Sequence, residues 1–370
     1  MTWTRRGVLA AGIAGLAGCV DGGGSATRAP FEAGSADATV GFVGDVMLGR
    51  GVTDRWVDRD PAGVWGSTLE RLQALDGLVL NLECCLAEGG RRWPEKVYYF
   101  RADPGFAVPA LRAANATVAS LANNHVLDFR EPGLESTRSH LTEAGVAHAG
   151  AGPGLEAALA PAVTEVGPLT VATVGLTGRY PSYAATTDSP GTAYVRPDPS
   201  ASDTRRTVRR ALARAEEHDP DLVVASLHWG PNWETTPGET REAFAHWLVE
   251  QGVDVVHGHS AHVLQGVEIH QGRPIIYDAG DFVDDYIDKN GLYNKRSGLF
   301  ELVVTDGSLE RLRIVPVEIE NETATVADGA AAAWVGETVR ARSEPFETTV
   351  ERTDEGVSVP IDEDDAGSRP

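Results

Sequence analysis

From residue 38 onward, short runs rich in β-branched and apolar residues alternate with longer stretches whose apolar positions recur every three or four residues. The first kind predicts strands: "TVGFVGDVML", "GLVLNLE", "ATVASLANN", "LTVATVGLTG", "LVVASLHWG", "VDVVHGH" and "RPIIYDAG". The second kind predicts helices: "STLERLQAL", "GFAVPALRAAN", "EPGLESTRSHLTEAG", "DTRRTVRRALARAEEH" and "GETREAFAHWLVEQG". Strands that alternate with helices predict an α/β layered domain with helices on both sheet faces, and no internal repeat interrupts the pattern. Proline and small polar residues break it between Arg179 and Ala201, as a lid, a binding loop or an inert surface excursion would. After Asn321 the chain turns acidic and ends in "IDEDDAGSRP", which predicts a peripheral helix and strand followed by a disordered tail.

The first nineteen residues do not follow the pattern. "TRRGVL" (Thr4 to Leu9) is a twin-arginine pattern, and the small apolar run after it is too short to cross a bilayer. The run ends in "LAGC", which reads as a lipoprotein signal with Cys19 as the acylated residue; a cleaved signal without lipid is the alternative. The expected organisation is a signal over 1–18, a flexible tether over 19–38, one folded domain over 39–320 and a peripheral extension over 321–370. The expected location is the extracellular face of the cell membrane, lipid-anchored after export of the folded chain.

Charge sharpens this picture. The 370 residues carry 54 acidic against 32 basic side chains, a net charge of −22. Lysine accounts for only Lys96, Lys289 and Lys295 among the basic residues. An acidic, lysine-poor surface suits a protein from a high-salt environment, and it excludes nucleic acid held through a basic face. Apart from Cys19 the cysteines are the adjacent pair Cys84 and Cys85, expected as buried thiols because a bridge between neighbours is strained.

Candidate chemistry gathers where the strands end, the edge at which α/β sheets carry their functional groups. The runs terminate in Asp45, Glu83, the "NNHVLD" stretch (Asn123 to Asp128), His228, His259 with His262, and Asp281. Each has an ordinary structural explanation alone: Asp45 as a helix cap, Asn124 in a turn, His228 in the core. Six metal-competent strand ends out of seven are harder to explain that way. Imidazole mixed with carboxylate and amide oxygen, without thiolate, suits Mn, Zn, Fe or Co. The ligands outnumber one tetrahedral shell, so one or two divalent ions are expected, a pair being bridged by a carboxylate and by the water that attacks.

The motifs "GDVMLGR", "NLE", "FRADP", "LANNHVLDF", "HWG", "GHSAHVLQG" and "IIYDAGDFV" resemble, in this order, those of CapA-type capsule-synthesis or poly-gamma-glutamate biosynthesis proteins. That family is similar to calcineurin-like metallophosphatases, which implies a four-layer α/β/β/α sandwich around a two-metal centre. The resemblance implies Asp45 on the first metal, Glu83 as the bridging carboxylate, and Asn124, His228 and His259 on the second metal, with His262 on the first. It implies His125 as general acid or electrostatic stabiliser, oriented by Asp128. Three departures stand out. Met47 replaces a histidine ligand of metallophosphatases, Ser260 and Ala261 replace a histidine and a proline, and Asp281 replaces an asparagine. His257 occupies an aliphatic position and is expected to pack or to support a ligand.

Two functions are consistent with these residues. One is a metal-dependent hydrolase of phosphoester or amide bonds in a cell-surface polymer. The other is a non-catalytic export or assembly factor that binds an anionic polymer through its metal centre, working with membrane synthesis or export proteins. His140, His148, His218, His246 and His270 are expected as solvated or packing residues, and Trp229 and Trp233 either line a polymer groove or pack in the core.

Overall fold

The computed structural model describes residues 31–361. Two sheets face each other across a core. In the larger, ten-stranded sheet, Ala38–Val46 lies centrally with Gly77–Leu82 and then Ala116–Ser120 parallel on one side. Arg296–Thr305 and Ser308–Ile319 follow antiparallel on the other side. The six-stranded sheet is ordered Val267–His270, Arg273–Ile276, Val255–His259, Leu222–His228, Leu169–Thr177, Ala162–Val166. Leu222–His228 is parallel to both neighbours, so the carboxyl ends of the central strands share one edge.

Period-two alternation sorts the apolar side chains into three cores. Val40, Phe42, Val79 and Val118 of the larger sheet meet Val171, Val224, Val255 and Ile276 of the smaller between the two. Val43, Leu78 and Leu80 point the other way, onto Phe106 of helix Pro104–Ala113 and Leu134 of helix Arg130–Ala144. Val174, Leu176 and Ala225 of the smaller sheet pack on Val208 of helix Ser202–Glu216 and on Phe244 and Leu248 of helix Glu239–Glu250. The result is the α/β/β/α four-layer sandwich, and each fully buried side chain of this kind contributes about 1.5–3 kcal/mol.

The structure adds elements that the pattern does not predict. The largest is the hairpin of Arg296–Thr305 and Ser308–Ile319. Its two-residue loop is Asp306-Gly307, with φ of 49° and 75°, a turn whose twist matches the flanking strands. Ordered packing also begins before residue 39: Phe31 is buried in the inter-sheet core, and the Ala33 amide donates to the Gly307 carbonyl. At the other end, Gly356–Pro360 pairs with Ser308–Ile319, and Val335 and Val339 of helix Gly329–Ser343 enter the same core. Residues 324–360 are thus integral to the sandwich. Cys84 and Cys85 are buried free thiols, and burial pushes the Cys84 thiol up to about 12. The twin-arginine stretch, Cys19, most of the tether and the tail after 361 lie outside the described residues.

Candidate metal centre

Strand alternation delivers the polar groups to the space between the sheets. Ser226 and His228 follow Val224 on the inward face of their strand, and His257 and His259 follow Val255 on theirs. Asp45 would point outward with Val43 if Ala38–Val46 were regular. A bulge prevents this: opposite Gly77–Leu82, Val43 pairs with Leu80 and Asp45 with Asn81, leaving Gly44 unpaired. The extra residue re-aims Asp45 inward. Glycine is required there, because a Cβ on Gly44 would sit 1.9 Å from the Gly280 carbonyl oxygen.

Asp45 is the carboxylate around which the rest is arranged. Its Oδ1 lies 3.5 Å from His259 Nδ1 and 3.8 Å from His228 Nδ1, and its Oδ2 lies 3.2 Å from His262 Nδ1. Glu83 Oε1 is 3.7 Å from His228 Nε2 and 3.8 Å from His125 Nε2. Two groups with metal-ligand spacing result, Asp45 with His228 and His259, and Asp45 with Glu83 and His262. Asp45, and not Glu83, is the carboxylate common to both. Asn124 adjoins the first group, its Oδ1 2.5 Å from His228 Nε2.

Hydrogen bonds assign the imidazole tautomers. His257 Nε2 donates to the Val43 carbonyl at 3.0 Å, so its Nδ1 accepts from the Ser226 hydroxyl at 3.3 Å. The Ser226 oxygen then accepts from His259 Nε2 at 3.0 Å, which leaves His259 Nδ1 bare. His228 Nε2 donates to Asn124 Oδ1, which leaves its Nδ1 unprotonated as well, with the Asn81 amide nitrogen 3.4 Å away. Two lone pairs therefore face each other at 3.0 Å beside the Asp45 carboxylate, with no proton between them. Both oxygens of buried Glu83 and Oδ2 of buried Asp281 lack a hydrogen-bond partner. Buried acceptors converging without donors are costly unless a cation sits among them, so this donor set fits divalent metal.

The proton affinities agree. Burial and the Asp45 charge push Glu83 well above the usual carboxylate range. Burial also acts on Asp45, but the imidazoles of His259, His262 and His228 gathered round it outweigh burial and hold Asp45 low. Burial would depress His262, yet the Asp281 and Glu83 carboxylates raise it well above its ordinary value. Burial drives His228 well below its ordinary value, so its ring is neutral.

Asn81 holds this arrangement together. It is buried mid-network, donating to Asp45 Oδ1 at 2.7 Å and accepting from Asn123 Nδ2 at 3.0 Å. Asn123 Oδ1 caps the amides of His125 and Val126, both at 3.0 Å. His125 Nδ1 meets Asp128 Oδ2 at 2.6 Å, which turns Nε2 toward Glu83. Burial lowers His125 to about 4, so the ring is neutral near pH 7. Lys96 reaches the Asn124 carbonyl and Asp128 while its ammonium lies 4.7 Å over the Tyr180 ring. Lys96, Asn124, His125 and Tyr180 line a cleft of about 240 Å³ together with Met47, Arg179, Asn232, His262 and Tyr286. The segment beginning at Arg179 therefore forms one wall of the cleft, and Tyr183 within it reaches Asp128 at 3.4 Å.

The departures from the family pattern now have places. Met47 is buried in the outer core and touches the cleft with a thioether where metallophosphatases have an imidazole. Ser260 and Ala261 do not loosen their loop. Ser260 donates through its amide to Asp45 Oδ2 and through its hydroxyl to the Gly230 carbonyl, and the Ala261 amide donates to Asp278 Oδ2 at 2.7 Å. The loop is wound tightly, with φ of 104° at Ser260 and 56° at His262. Asp281 Oδ1 sits 2.7 Å from His262 Nδ1. Trp229 is core, its Nε1 donating to the Tyr277 carbonyl, whereas Trp233 stacks on Tyr286 of the cleft wall. A cavity of about 860 Å³ lies elsewhere, under the carboxyl-terminal extension among paired charges such as Arg71 with Glu301 and Glu355.

Comparison with known proteins decides the family. The profile of the bacterial capsule synthesis proteins matches residues 39–286, most of the sandwich and every residue of the centre. The chain belongs to the bacterial capsule synthesis protein family. Its metallophosphatase-like α/β fold accompanies that membership. Similar proteins include a probable polyglutamine synthesis accessory protein of Mycobacterium tuberculosis, 36% identical over 85% of this chain and 93% of that one. A capsule biosynthesis protein CapA of Bacillus anthracis is 29% identical over 76% of this chain and 67% of that one. A PGA biosynthesis protein CapA of Bacillus subtilis is 25% identical over 76% of this chain and 72% of that one. The members of the centre that the strand-end reading misses are Asn81, Asp278, Lys96 and Ser226. Only Lys96 carries a signal in the sequence, as one of three lysines in an acidic chain.

Proposed function

We propose that this capsule synthesis protein is a metal-dependent hydrolase acting on a cell-surface polymer of the poly-gamma-glutamate or capsule kind, at a phosphoester or amide bond. The observation that carries the reading is the pair of bare imidazole nitrogens of His228 and His259 facing Asp45, beside a Glu83 whose oxygens have no donor. When bound, one or two divalent ions (Mn, Zn, Fe or Co) supply Lewis acidity and a water acidic enough to attack near pH 7. Asp45, His228 and His259 would hold one ion, and Asp45, Glu83 and His262 would hold the other. His125, neutral with its proton on Nδ1 toward Asp128, presents an unprotonated Nε2 to the cleft; it would take up the proton released by the attacking water there and pass that proton to the leaving group. Arg179 on the cleft wall supplies positive charge toward an anionic polymer, while the Lys96 charge is paired with Asp128.

Met47 favours a second reading, in which the centre binds polymer carboxylates during export or assembly without hydrolysis. A thioether in place of an imidazole removes one ligand from the Asp45, Glu83 and His262 group, and weaker ion binding there removes the activated water. In both readings the chain works outside the cell, leashed through Cys19 after twin-arginine export, beside membrane proteins that synthesise or export the polymer. The acidic, lysine-poor surface adapts it to high salt.

Turnover by the metal-loaded full chain decides between the readings. Hydrolysis of poly-gamma-glutamate or a phosphodiester, abolished by Asp45→Asn and strongly reduced by His125→Ala, supports the enzyme. Saturable polymer binding that needs metal, with no product from either substrate, overturns hydrolysis and supports assembly.

A further inference from the structure

Three more ligand-type side chains converge away from the Asp45 centre, on the outer face of the six-stranded sheet. His246 lies on helix Glu239–Glu250, and Glu268 and His270 share the outward face of the edge strand Val267–His270. His246 Nε2 is 2.9 and 2.8 Å from the two Glu268 oxygens, and His270 Nδ1 is 3.7 Å from Glu268 Oε1. All three ligand atoms fall within 4.8 Å of one another. The imidazoles stack 3.9 Å apart and within 3° of parallel.

We propose that His246, Glu268 and His270 form an accessory site for a divalent transition ion of the zinc class, separate from the Asp45 centre. Ligand spacing supports it. An ion about 2.0–2.1 Å from tetrahedral ligands separates them by about 3.4 Å, and the 2.8 and 3.7 Å separations bracket that value. The carboxylate is held in place, because Glu268 is 5% exposed and its Oε2 accepts from the Tyr277 hydroxyl at 2.6 Å. The imidazoles are reachable, His246 being 34% and His270 22% exposed, so a water can fill the fourth position.

The Gln271 amide supports the same conclusion. Its Nε2 lies 3.3 Å from His270 Nε2, while its Oε1 is buried without a partner. A half-turn of the amide exchanges these atoms. Oε1 then accepts from His270 Nε2–H, which satisfies the orphan and leaves His270 Nδ1 bare toward Glu268. A carbonyl or amide behind a ligating imidazole fixes its tautomer in this way. Glu242 stands four residues before His246 on the same helix face, where its carboxylate adds negative charge beside the three ligands. A bound ion would fasten the helix to an edge strand.

The test is zinc titration of the metal-stripped full chain by calorimetry, with melting temperature as a second readout. Asp45→Asn impairs the inner centre and is expected to retain one zinc-binding event and a zinc-induced rise in melting temperature. Adding His246→Ala and His270→Ala is expected to abolish both, and in the otherwise wild-type chain the same pair is expected to lower zinc stoichiometry by one equivalent. Glu268→Gln preserves size and guards against misfolding; it is expected to abolish the event while the zinc-free melting temperature stays near that of its parent. The proposal is overturned if Asp45→Asn binds no zinc, or if its zinc binding survives unchanged in the His246→Ala/His270→Ala or Glu268→Gln background.

Discussion

Asn81 Nδ2 donates to Asp45 Oδ1 at 2.7 Å, directly across the strand pair from the bulge at Gly44. The contact fixes which carboxylate oxygen faces His228 and His259 and which faces His262. Asn81→Leu removes it and leaves Asn123 Nδ2 with the Leu82 carbonyl alone as acceptor. Affinity for manganese or zinc at the Asp45 centre is expected to fall about 10–100-fold, the usual loss when a group orienting a ligand is removed. Calorimetric titration in a His246→Ala/His270→Ala background isolates that centre, and an unchanged affinity would show that Asn81 only packs.

Gly44 makes the bulge possible, and the oxygen of Gly280 lies where its Cβ would be. Gly44→Ala must push strand Asp281–Val283 away from Ala38–Val46. The expected destabilisation is about 1–3 kcal/mol, as for overpacking elsewhere, together with weakened metal binding because Asp281 moves off His262. Urea unfolding and metal titration of one variant check both halves.

His125 is separated from catalytic metal binding by its geometry. It lies on the cleft with Asp128 behind it and is in neither ligand group. His125→Ala is expected to leave metal stoichiometry intact and to reduce kcat about 10²–10⁴-fold, the range for loss of a general acid. Asp128→Asn is expected to lower kcat less and to displace Lys96, since Asp128 also receives that ammonium. A variant that loses metal and activity together would place His125 among the ligands.

Two buried imidazoles, His257 and His125, each subtract stability from the metal-free chain as pH falls. Burial lowers His257 to about 3 and His125 to about 4 from an ordinary 6.5. Below 6.5 the unfolded chain takes up these protons and the folded chain does not, so acid favours unfolding until the folded values are reached. Each group steepens the fall by up to about 1.4 kcal/mol per pH unit. His257→Gln, which can still meet Ser226 or the Val43 carbonyl, is expected to flatten the urea midpoint between pH 6.5 and 4 relative to wild type. Parallel curves for the two proteins would show that His257 is charged when folded.

Much of this was legible in the residues because two periodicities carry it. Strand runs such as "LVVASLH" and "VDVVHGH" end in polar groups that alternation turns inward, so His228 and His259 could be placed near each other without coordinates. Asn81 was hidden because "GLVLNL" reads as one apolar run, and a single amide inside it has no pattern of its own. The bulge at Gly44 depends on how closely Gly280 approaches, a contact between residues 236 positions apart that no local signal encodes. The Asp306-Gly307 hairpin is different: "DG" between two β-rich runs is itself a local signal. Lys96 and Asp278 act through main-chain groups of Asn124 and Ala261, and partnerships of that kind appear only once the chain is folded.

The central claim is that Asp45 is the shared carboxylate of a metal centre. Anomalous diffraction from crystals of the full chain grown with manganese or zinc tests it most directly. The account predicts a peak about 2.0–2.2 Å from Asp45, His228 Nδ1 and His259 Nδ1, and a weaker one shared by Asp45, Glu83 and His262, the group that Met47 leaves one imidazole short. No peak beside Asp45 at saturating metal, with the His228 and His259 nitrogens still facing each other, would contradict it.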